Sequence, residues 1–450
     1  MIKRNLQIQL KKWKDSTTNL PLILRGARQV GKTTLINEFG KSFDQYLYFN
    51  LEKKDDALFF KDVNNISRLI QLLFISRGFE ITKKVSTLIF IDEVQEKPEV
   101  IEALRYFKED YPNLHVIVTG SLLEFGLSKI SKIPVGRVEF MELHPLNFKE
   151  YLLGLRQKSI VELLSVPPIE NDLLPILFNH FHDFALIGGM PGITTAYINE
   201  KDITRLSNLY SGIIESYKDD VEKYAPSDTI RKVIRHVMDT APYEMDNRVN
   251  LNHFGGSDFR SREVKEAMGS LSKARLLELI YPTTQTAPPI VSDLKKRPRL
   301  HFLDVGLVNY QLGLHQELLT IQDLHQSSKG KLVQQIVNQE IKSMDYPPGG
   351  KRAFWVREER GTSSEVDIVY PFRNMLIPVK VKSGASGKLR SVHEFMDRCP
   401  HAYAIRIYGG KLGIDKLTTT KGKTYKLLNL PYFLSSWIRE YLIWFCDRKT

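Results

Sequence analysis

Residues 26–33, Gly26-Ala27-Arg28-Gln29-Val30-Gly31-Lys32-Thr33, set two glycines, a lysine and a hydroxyl in the order Gly, four residues, Gly-Lys-Thr. These residue types at this spacing suit the cradling of phosphate. Backbone N–H groups of the loop and of the following helix start converge on an anion. Lys32 reaches the outer phosphates, and the Thr33 hydroxyl is a ligand for Mg²⁺. Thr34 continues the run into the first helical turn. The context agrees: LPLILRG reads as a short buried strand, and KTTLINEF as a helix packing through Leu35, Ile36 and Phe39.

A second signal lies 60 residues beyond Lys32, where the apolar strand TLIFID ends in Asp92-Glu93. A strand this apolar belongs inside a parallel sheet covered on both faces. Its C-terminal end is where open α/β sheets bind ligands. There Asp92 holds Mg²⁺ through water, and Glu93 polarises the water that attacks the γ-phosphate. The next apolar strand, LHVIVTGS, ends at Thr119, placed to sense the γ-phosphate or orient that water; a plain turn at Gly120 is the alternative. Arg137, in the Gly-Arg pair of KIPVGRVEF, offers a cation for transition-state charge, within the chain or across a subunit boundary. The sequence does not distinguish that role from a structural salt bridge.

The elements that position these residues belong to a chain of 450 residues, enough for two or three domains. Cys399 and Cys446 are its only cysteines, which implies no disulfide framework and fits a reducing cytoplasm. The net charge of +12 favours polyanionic partners without choosing among them, and the lysines are dispersed. No stretch has the roughly 18 apolar residues of a membrane span. The nearest, LPYFLSSWIREYLIWF, is broken by Arg439 and Glu440 and reads as a closing amphipathic helix.

In order, RGARQVGKTTL, LIFIDEVQ, VIVTGS and GRVEFMELHPLNFKEYL resemble the prokaryotic AAA+-type ATPases that carry a C-terminal restriction-endonuclease-like domain of unknown function. The resemblance continues through LIGGMPG, HFLDVGL, FWVREERGTSSEVDIVY and IPVKVKSG, nearly the whole chain. It implies a protein that binds ATP and hydrolyses it. Similar proteins keep the Gly188-Gly189-Met190-Pro191-Gly192 turn after the ATPase domain, as a lid or hinge near the nucleotide; a bare turn between helices is equally consistent.

Downstream, two helical segments over 201–240 precede SREVKEAMGSLSKARLLELIYPTTQ, a helix running into a strand. The basic loop TAPPIVSDLKKRP and the strand RLHFLDVGL follow. That is the order of a winged helix, with Lys295, Lys296, Arg297 and Arg299 as phosphate contacts; packing against a partner is the alternative. Residues 330–384 look like a restriction-endonuclease fold, whose site needs a helix carboxylate, a strand-end Asp and a Glu-x-Lys. Asp367 is present, but Gln334 stands at the helix position and Lys380-Val381-Lys382 replaces Glu-x-Lys. Glu340 lies roughly 240° round the helix from Gln334 and points elsewhere. Lys380 and Lys382 share a strand face and repel a divalent cation, so an intact fold with a basic pocket is expected in place of a nuclease.

The sequence therefore predicts an α/β architecture: an AAA+-like P-loop NTPase sheet with helical lid over 1–200, a winged-helix-like module over 201–315, and a degenerate nuclease-like domain over 316–450. The expected function is Mg²⁺-dependent ATP binding and hydrolysis that switches the other two parts. Nucleic acid is a partner through the basic surfaces, and a homo-oligomer is required if Arg137 acts in trans. The alternatives are a non-hydrolysing nucleotide-gated adaptor and, against the missing carboxylates, a metal nuclease. No base-reading motif distinguishes ATP from GTP.

Overall fold

The computed structural model describes the chain except residues 1, 64, 82–84, 128–135, 315–329, 345–349, 360–361, 383–388 and 449–450. Of the motifs quoted above, residues 132–135, 360–361 and 383–384 lie outside the described residues, as does the 315/316 boundary.

The N-terminal part alternates helix and strand: α1 (Leu6–Lys14), β1 (Leu22–Arg25), α2 (Lys32–Gly40), β2 (Gln45–Asn50), α3 (Lys54–Phe59), α4 (Ile66–Ser76), β3 (Thr87–Asp92), α5 (Glu99–Asp110), β4 (Leu114–Thr119), α6 (Leu123–Leu127) and β5 (Glu139–Glu142). The strands form one parallel sheet in the order β2-β3-β4-β1-β5. Strand alternation splits its apolar residues between two faces. Leu22, Leu24, Phe90 and Ile117 pack with Leu10, Trp13, Leu35 and Ile36 of α1 and α2. Ile23, Ile89, Ile91 and Val118 pack with Ile70, Phe74, Leu104 and Phe107 of α4 and α5. Register brings Asn50 beside Asp92, Leu24 beside Thr119 and Arg25 beside Glu142. All the strand C-terminal ends therefore meet along one edge.

Beyond β5 come α7 (Phe148–Gly154), α8 (Lys158–Leu164), α9 (Leu174–Ile187), α10 (Pro191–Glu200), α11 (Ser207–Glu222), α12 (Asp228–Thr240) and α13 (Ser261–Lys273). After α13 the chain forms β6 (Leu277–Ile280), β7 (Pro282–Thr283), β8 (Arg299–Phe302) and α14 (Val305–Gln311). β6 and β8 pair antiparallel, and Arg248 bridges Arg299 on the other side. The C-terminal part has α15 (Gly330–Ser343), β9 (Phe354–Glu359), β10 (Thr362–Val366), β11 (Ile368–Phe372), β12 (Met375–Val381), α16 (Arg390–Met396), β13 (Tyr403–Tyr408), β14 (Gly413–Thr418), β15 (Thr424–Pro431) and α17 (Ile438–Asp447). Its main sheet runs β11-β12-β13-β15-β14, with β12, β13 and β15 parallel.

Three features differ from the sequence reading. The loop after β6 is no free wing: β7 pairs with β9, Ile290 is buried against Ala353 and Trp355, and the Trp355 indole donates to the Thr284 carbonyl at 3.3 Å. Its apolar and proline residues find more buried surface on the C-terminal sheet than in solvent. The closing segment is not one helix either, because residues Tyr432–Trp437 form 3₁₀ turns buried ahead of α17. Finally, apolar residues of α7 and α9 share one core with the middle and C-terminal helices. Among the described residues, no helix is long and apolar enough to cross a membrane.

Candidate functional site

The loop between β1 and α2 is shaped by its glycines. Gly26 has φ +150°, and a Cβ there would stand 2.5 Å from the Leu143 carbonyl oxygen of the strand-end chain next door. Gln29 and Gly31 take left-handed φ values of +62° and +93°, which fold the loop back over the start of α2. Gly31 is the N-cap, and no side chain caps the first turn. The first-turn N–H groups of a helix have no intrahelical acceptors, so those of Lys32, Thr33 and Thr34 are available to an anion. Lys32 is 7% exposed, and its Nζ donates to the Gly26 and Ala27 carbonyls at 2.9 Å each. Burial lowers its pKa to about 8, against the pull of Glu93 and Asp92. A cationic amine turned onto its own loop, beside uncapped N–H groups, fits a polyphosphate.

Asp92 is buried at the end of β3 and collects three donors. Thr33 Oγ1 donates to Oδ2 at 2.6 Å, the Glu93 N–H donates to Oδ1 at 3.0 Å, and Thr119 Oγ1 donates to Oδ1 as well. A hydroxyl and a carboxylate are the hard oxygen donors Mg²⁺ takes, with the remaining positions left to water and phosphate. Among the described residues no group of three His, Cys, Asp or Glu forms a protein-only metal cage, which such a shared site does not need. Glu93 sits at φ +55°. Its Oε2 accepts from Gln95 Nε2 at 2.6 Å, Ser121 Oγ at 3.1 Å and the Ser121 N–H at 3.2 Å. A Cβ at Gly120 would lie 2.3 Å from Gln95 Oε1 and would displace the amide that holds Glu93. The expected loop residues, Asp92, Glu93 and Thr119 thus stand together on one sheet edge.

Residues 18–152 match the family model of the AAA domain. The chain carries an AAA domain ahead of two further domains whose function is unknown. Those two match residues 178–318 (DUF8612) and 329–431 (DUF4143). Relatives include an uncharacterised protein of Methanocaldococcus jannaschii, 26% identical over 246 residues, which are 53% of this chain and 49% of that protein. An uncharacterised protein of Haemophilus influenzae is 25% identical over 222 residues, 48% of this chain and 50% of its own length. The chain therefore spans about half the length of these relatives. A solved structure of replication initiator DnaA bound to AMPPCP and single-stranded DNA aligns at 13% identity, covering 61% of this chain and 91% of that one, with a TM-score of 0.28.

Around the AAA domain the structure adds residues that sequence reasoning missed. Arg4 donates through Nη1 to the Val30 carbonyl at 2.8 Å, pairs with Glu150 at 3.1 Å and also reaches the His144 carbonyl, so the N-terminus braces the phosphate loop. Arg28 leaves the loop to pair with Asp220 of α11 at 2.6 Å, and Tyr217 OH donates to the Arg28 carbonyl at 2.9 Å. Pro191, at the start of α10, lies 3.8 Å from where a Gly31 Cβ would stand, so the Gly188–Gly192 turn sits against the loop. Asp304 fastens that turn, accepting from the Gly189 N–H at 2.6 Å and the Gly306 N–H at 3.0 Å. Apart from the local Asp304–Gly306 contact, these partners lie 26 to 192 residues apart in the chain, and no local pattern signals them.

Arg137 is not brought to this edge. It precedes β5, whose first residue pairs with Leu22 at the start of β1, and it forms an exposed ion pair with Glu109. The C-terminal cluster also departs from the sequence reading. Asp367 accepts from Lys380 Nζ at 2.9 Å and from the Val381 N–H at 2.8 Å. Arg299 enters from β8, 8% exposed, and pairs with Glu365 at 2.5 Å, Asp246 at 3.4 Å and Asp367 at 3.6 Å. Gln334 turns its amide toward Asp246 in the same cluster. Arg299 of the middle part thus enters the expected basic pocket, and of its two lysines Lys380 is neutralised by Asp367. Two of the four expected phosphate contacts are spent on ion pairs, Arg299 here and Lys296 with Glu358 at 3.0 Å, because each lies against acidic residues of the C-terminal sheet. Glu340 is far from Gln334's neighbours and reaches the Phe148 N–H of α7.

Proposed function

We propose that the chain binds ATP with Mg²⁺ in the Gly26–Thr34 loop and hydrolyses it, the nucleotide state being passed to the parts beyond residue 200. The observation that carries this reading is the convergence of Thr33, Asp92, Glu93 and Thr119 beside an uncapped helix start. The Thr33 hydroxyl and Asp92 would hold Mg²⁺, which would supply charge neutralisation at the phosphates. Lys32 gives up its carbonyls for phosphate oxygens. Glu93, once turned from Ser121, takes the proton of the attacking water. Thr119 keeps Asp92 oriented. The working parts are residues 1–200, 201–315 and 316–450. Arg28-Asp220 and the turn against Gly31 support transmission from loop to α11 and α10. Nucleic acid is the partner we assign to the exposed Arg262 and Lys265 of α13 with Lys295 and Arg297.

ATP turnover by wild type and Glu93→Gln, with and without duplex DNA and over a range of protein concentrations, tests this. Wild type should hydrolyse, and Glu93→Gln should bind ATP with turnover reduced by about 10²-fold or more. DNA stimulation would support the nucleic-acid assignment, and activity rising with concentration would support an oligomer. The three donors that pin Glu93 favour one second reading, an adaptor that binds without turnover. It predicts ATP binding and no phosphate release by either protein under any condition.

A further inference from the structure

The C-terminal sheet carries a row of polar side chains that their neighbours leave unanswered. Strands β12, β13 and β15 run parallel, and open α/β sheets take ligands at the C-terminal ends of such strands. Within two residues of those ends, Lys380 lies beside Arg406, Arg406 beside Asn429, and Asn429 beside Gly413 of β14. Residues paired in this way share one face of the sheet. Nearer the strand starts, α16 covers that face through Val392, Phe395 and Met396, packed with Ala404, Tyr425 and Leu427. In the row itself Lys380 is taken up by Asp367 at 2.9 Å, but the other groups are not. Arg406 forms no ion pair among the described residues; its guanidinium lies 4.5 Å from the centre of the Tyr408 ring, and its Nε is buried without a partner. Asn429 is 4% exposed, and its amide nitrogen donates to Asp415 at 2.8 Å. That bond turns Oδ1 away from the carboxylate, and Oδ1 is buried and unpartnered. Tyr425, 1% exposed and on the same face of β15, has a buried hydroxyl that is also unpartnered, and it feels the Arg406 charge. Lys382 follows Lys380 on that face and likewise has no ion pair among the described residues; burial and the Lys380 charge lower its pKa. Gly413 leaves the end of the row open, since a Cβ there would meet nothing within 4 Å. Buried donors and acceptors are costly to leave unmade, so a row of them calls for a ligand.

We propose that Arg406, Lys382 and Asn429 form a second site, on the C-terminal sheet and separate from the Gly26–Thr34 loop, that binds the phosphate ester of a nucleotide unit. A guanidinium stacked on an aromatic ring holds its fork in one plane, which suits bidentate contact with phosphate oxygens. Lys382 adds a point charge from the neighbouring strand. The Asn429 carbonyl needs a donor, and the hydroxyl of a sugar carried beside the phosphate is one. The open end at Gly413, next to Asn429, leaves room for that sugar. A nucleotide unit brings both groups, whether free or at the end of a strand.

Binding calorimetry on the full-length chain tests this, with AMP, a short 5′-phosphorylated single strand and the same strand without its phosphate as probes. Lys32→Ala, which disables the ATP loop, should bind a phosphorylated probe as wild type does. Arg406→Ala should weaken that binding about tenfold or more, and Arg406→Lys should recover only part of it. Asn429→Asp sets a carboxylate against the phosphate and should abolish it. Gly413→Val fills the open end and should weaken binding while the thermal midpoint stays at the wild-type value, which separates a blocked site from a damaged fold. Binding of AMP but not of the strand would identify the ligand as a free nucleotide. Binding of the strand only when it carries its phosphate would identify a strand end. If no phosphorylated probe binds Lys32→Ala, or if wild type, Arg406→Ala and Asn429→Asp bind equally, the proposal is overturned and the row is a tie between strands.

Discussion

At the scale of single residues, Lys32 shows how the loop is prepared for its ligand. Its ammonium is buried and held near a pKa of about 8, where solvation by two carbonyls only partly replaces water. Phosphate oxygens would favour the charged form and raise that value. The sign follows directly. Well below pH 8 the amine is already protonated and binding takes up no proton. Near pH 8 about half the molecules lack the proton and must gain it on binding. Calorimetry of ATP binding at pH 6.5 and 8.0, each in two buffers of different ionisation enthalpy, should therefore show proton uptake only at the higher pH. Lys32→Ala should abolish the uptake and weaken binding. Uptake that survives in Lys32→Ala would assign it to another group.

Elements were legible to different depths. Strand β1, the loop, α2 and the Asp92 strand are readable because their signals are local: apolar runs, glycine spacing, a charged strand end. That each of these strands must bring its C-terminal end to the loop makes them parallel, but their order, β2-β3-β4-β1-β5, was not legible because it depends on crossovers between distant segments. Arg4 and Asp220 were not readable, because each acts on an element more than 25 residues away. Arg299 is the sharpest case. On the sequence it reads as part of a basic wing, yet β8 carries it into the carboxylates of the C-terminal sheet. There Asp246 is pushed up to about 7 by burial, despite the Arg299 charge. Removing one partner of a buried ionic cluster leaves the others uncompensated. Arg299→Met should cost about 3–5 kcal/mol in urea unfolding, and more at pH 8 than at pH 5, since Asp246 would be ionised without its partner. Asp246→Leu added to Arg299→Met should recover part of the loss. A loss below 1 kcal/mol, flat across pH, would mean that water already screens the cluster.

At the scale of the whole molecule, one carboxyl joins regions that the sequence keeps far apart. Glu340 of α15 is fully buried. Its oxygens accept from the Phe148 N–H at 3.0 and 3.1 Å, where α7 begins after the AAA sheet, and from Ser436 in the turns before α17. Burial raises its pKa to about 8, and the Ser436 and Phe148 hydrogen bonds only partly oppose that. The folded state thus keeps a proton that the unfolded chain gives up near pH 4.5. Its contribution to stability is complete below pH 4.5, declines as pH rises, and is fully lost only above about 8. The slope cannot exceed about 1.4 kcal/mol per pH unit from this group. Asp304, raised to about 6, and Asp246, raised to about 7, slope the same way over narrower ranges. Glu340→Gln keeps a neutral side chain of the same shape at every pH, so its thermal midpoint should fall less than that of wild type between pH 6 and 8. The gap should widen up to about pH 8, since the two aspartates titrate alike in both proteins and cancel in the comparison. Parallel curves for the two proteins would mean that Glu340 is already ionised in the folded chain, held by Phe148 and Ser436 as a charged acceptor. The link between α7, α15 and the C-terminal turns would then be electrostatic rather than a neutral hydrogen-bonded plug.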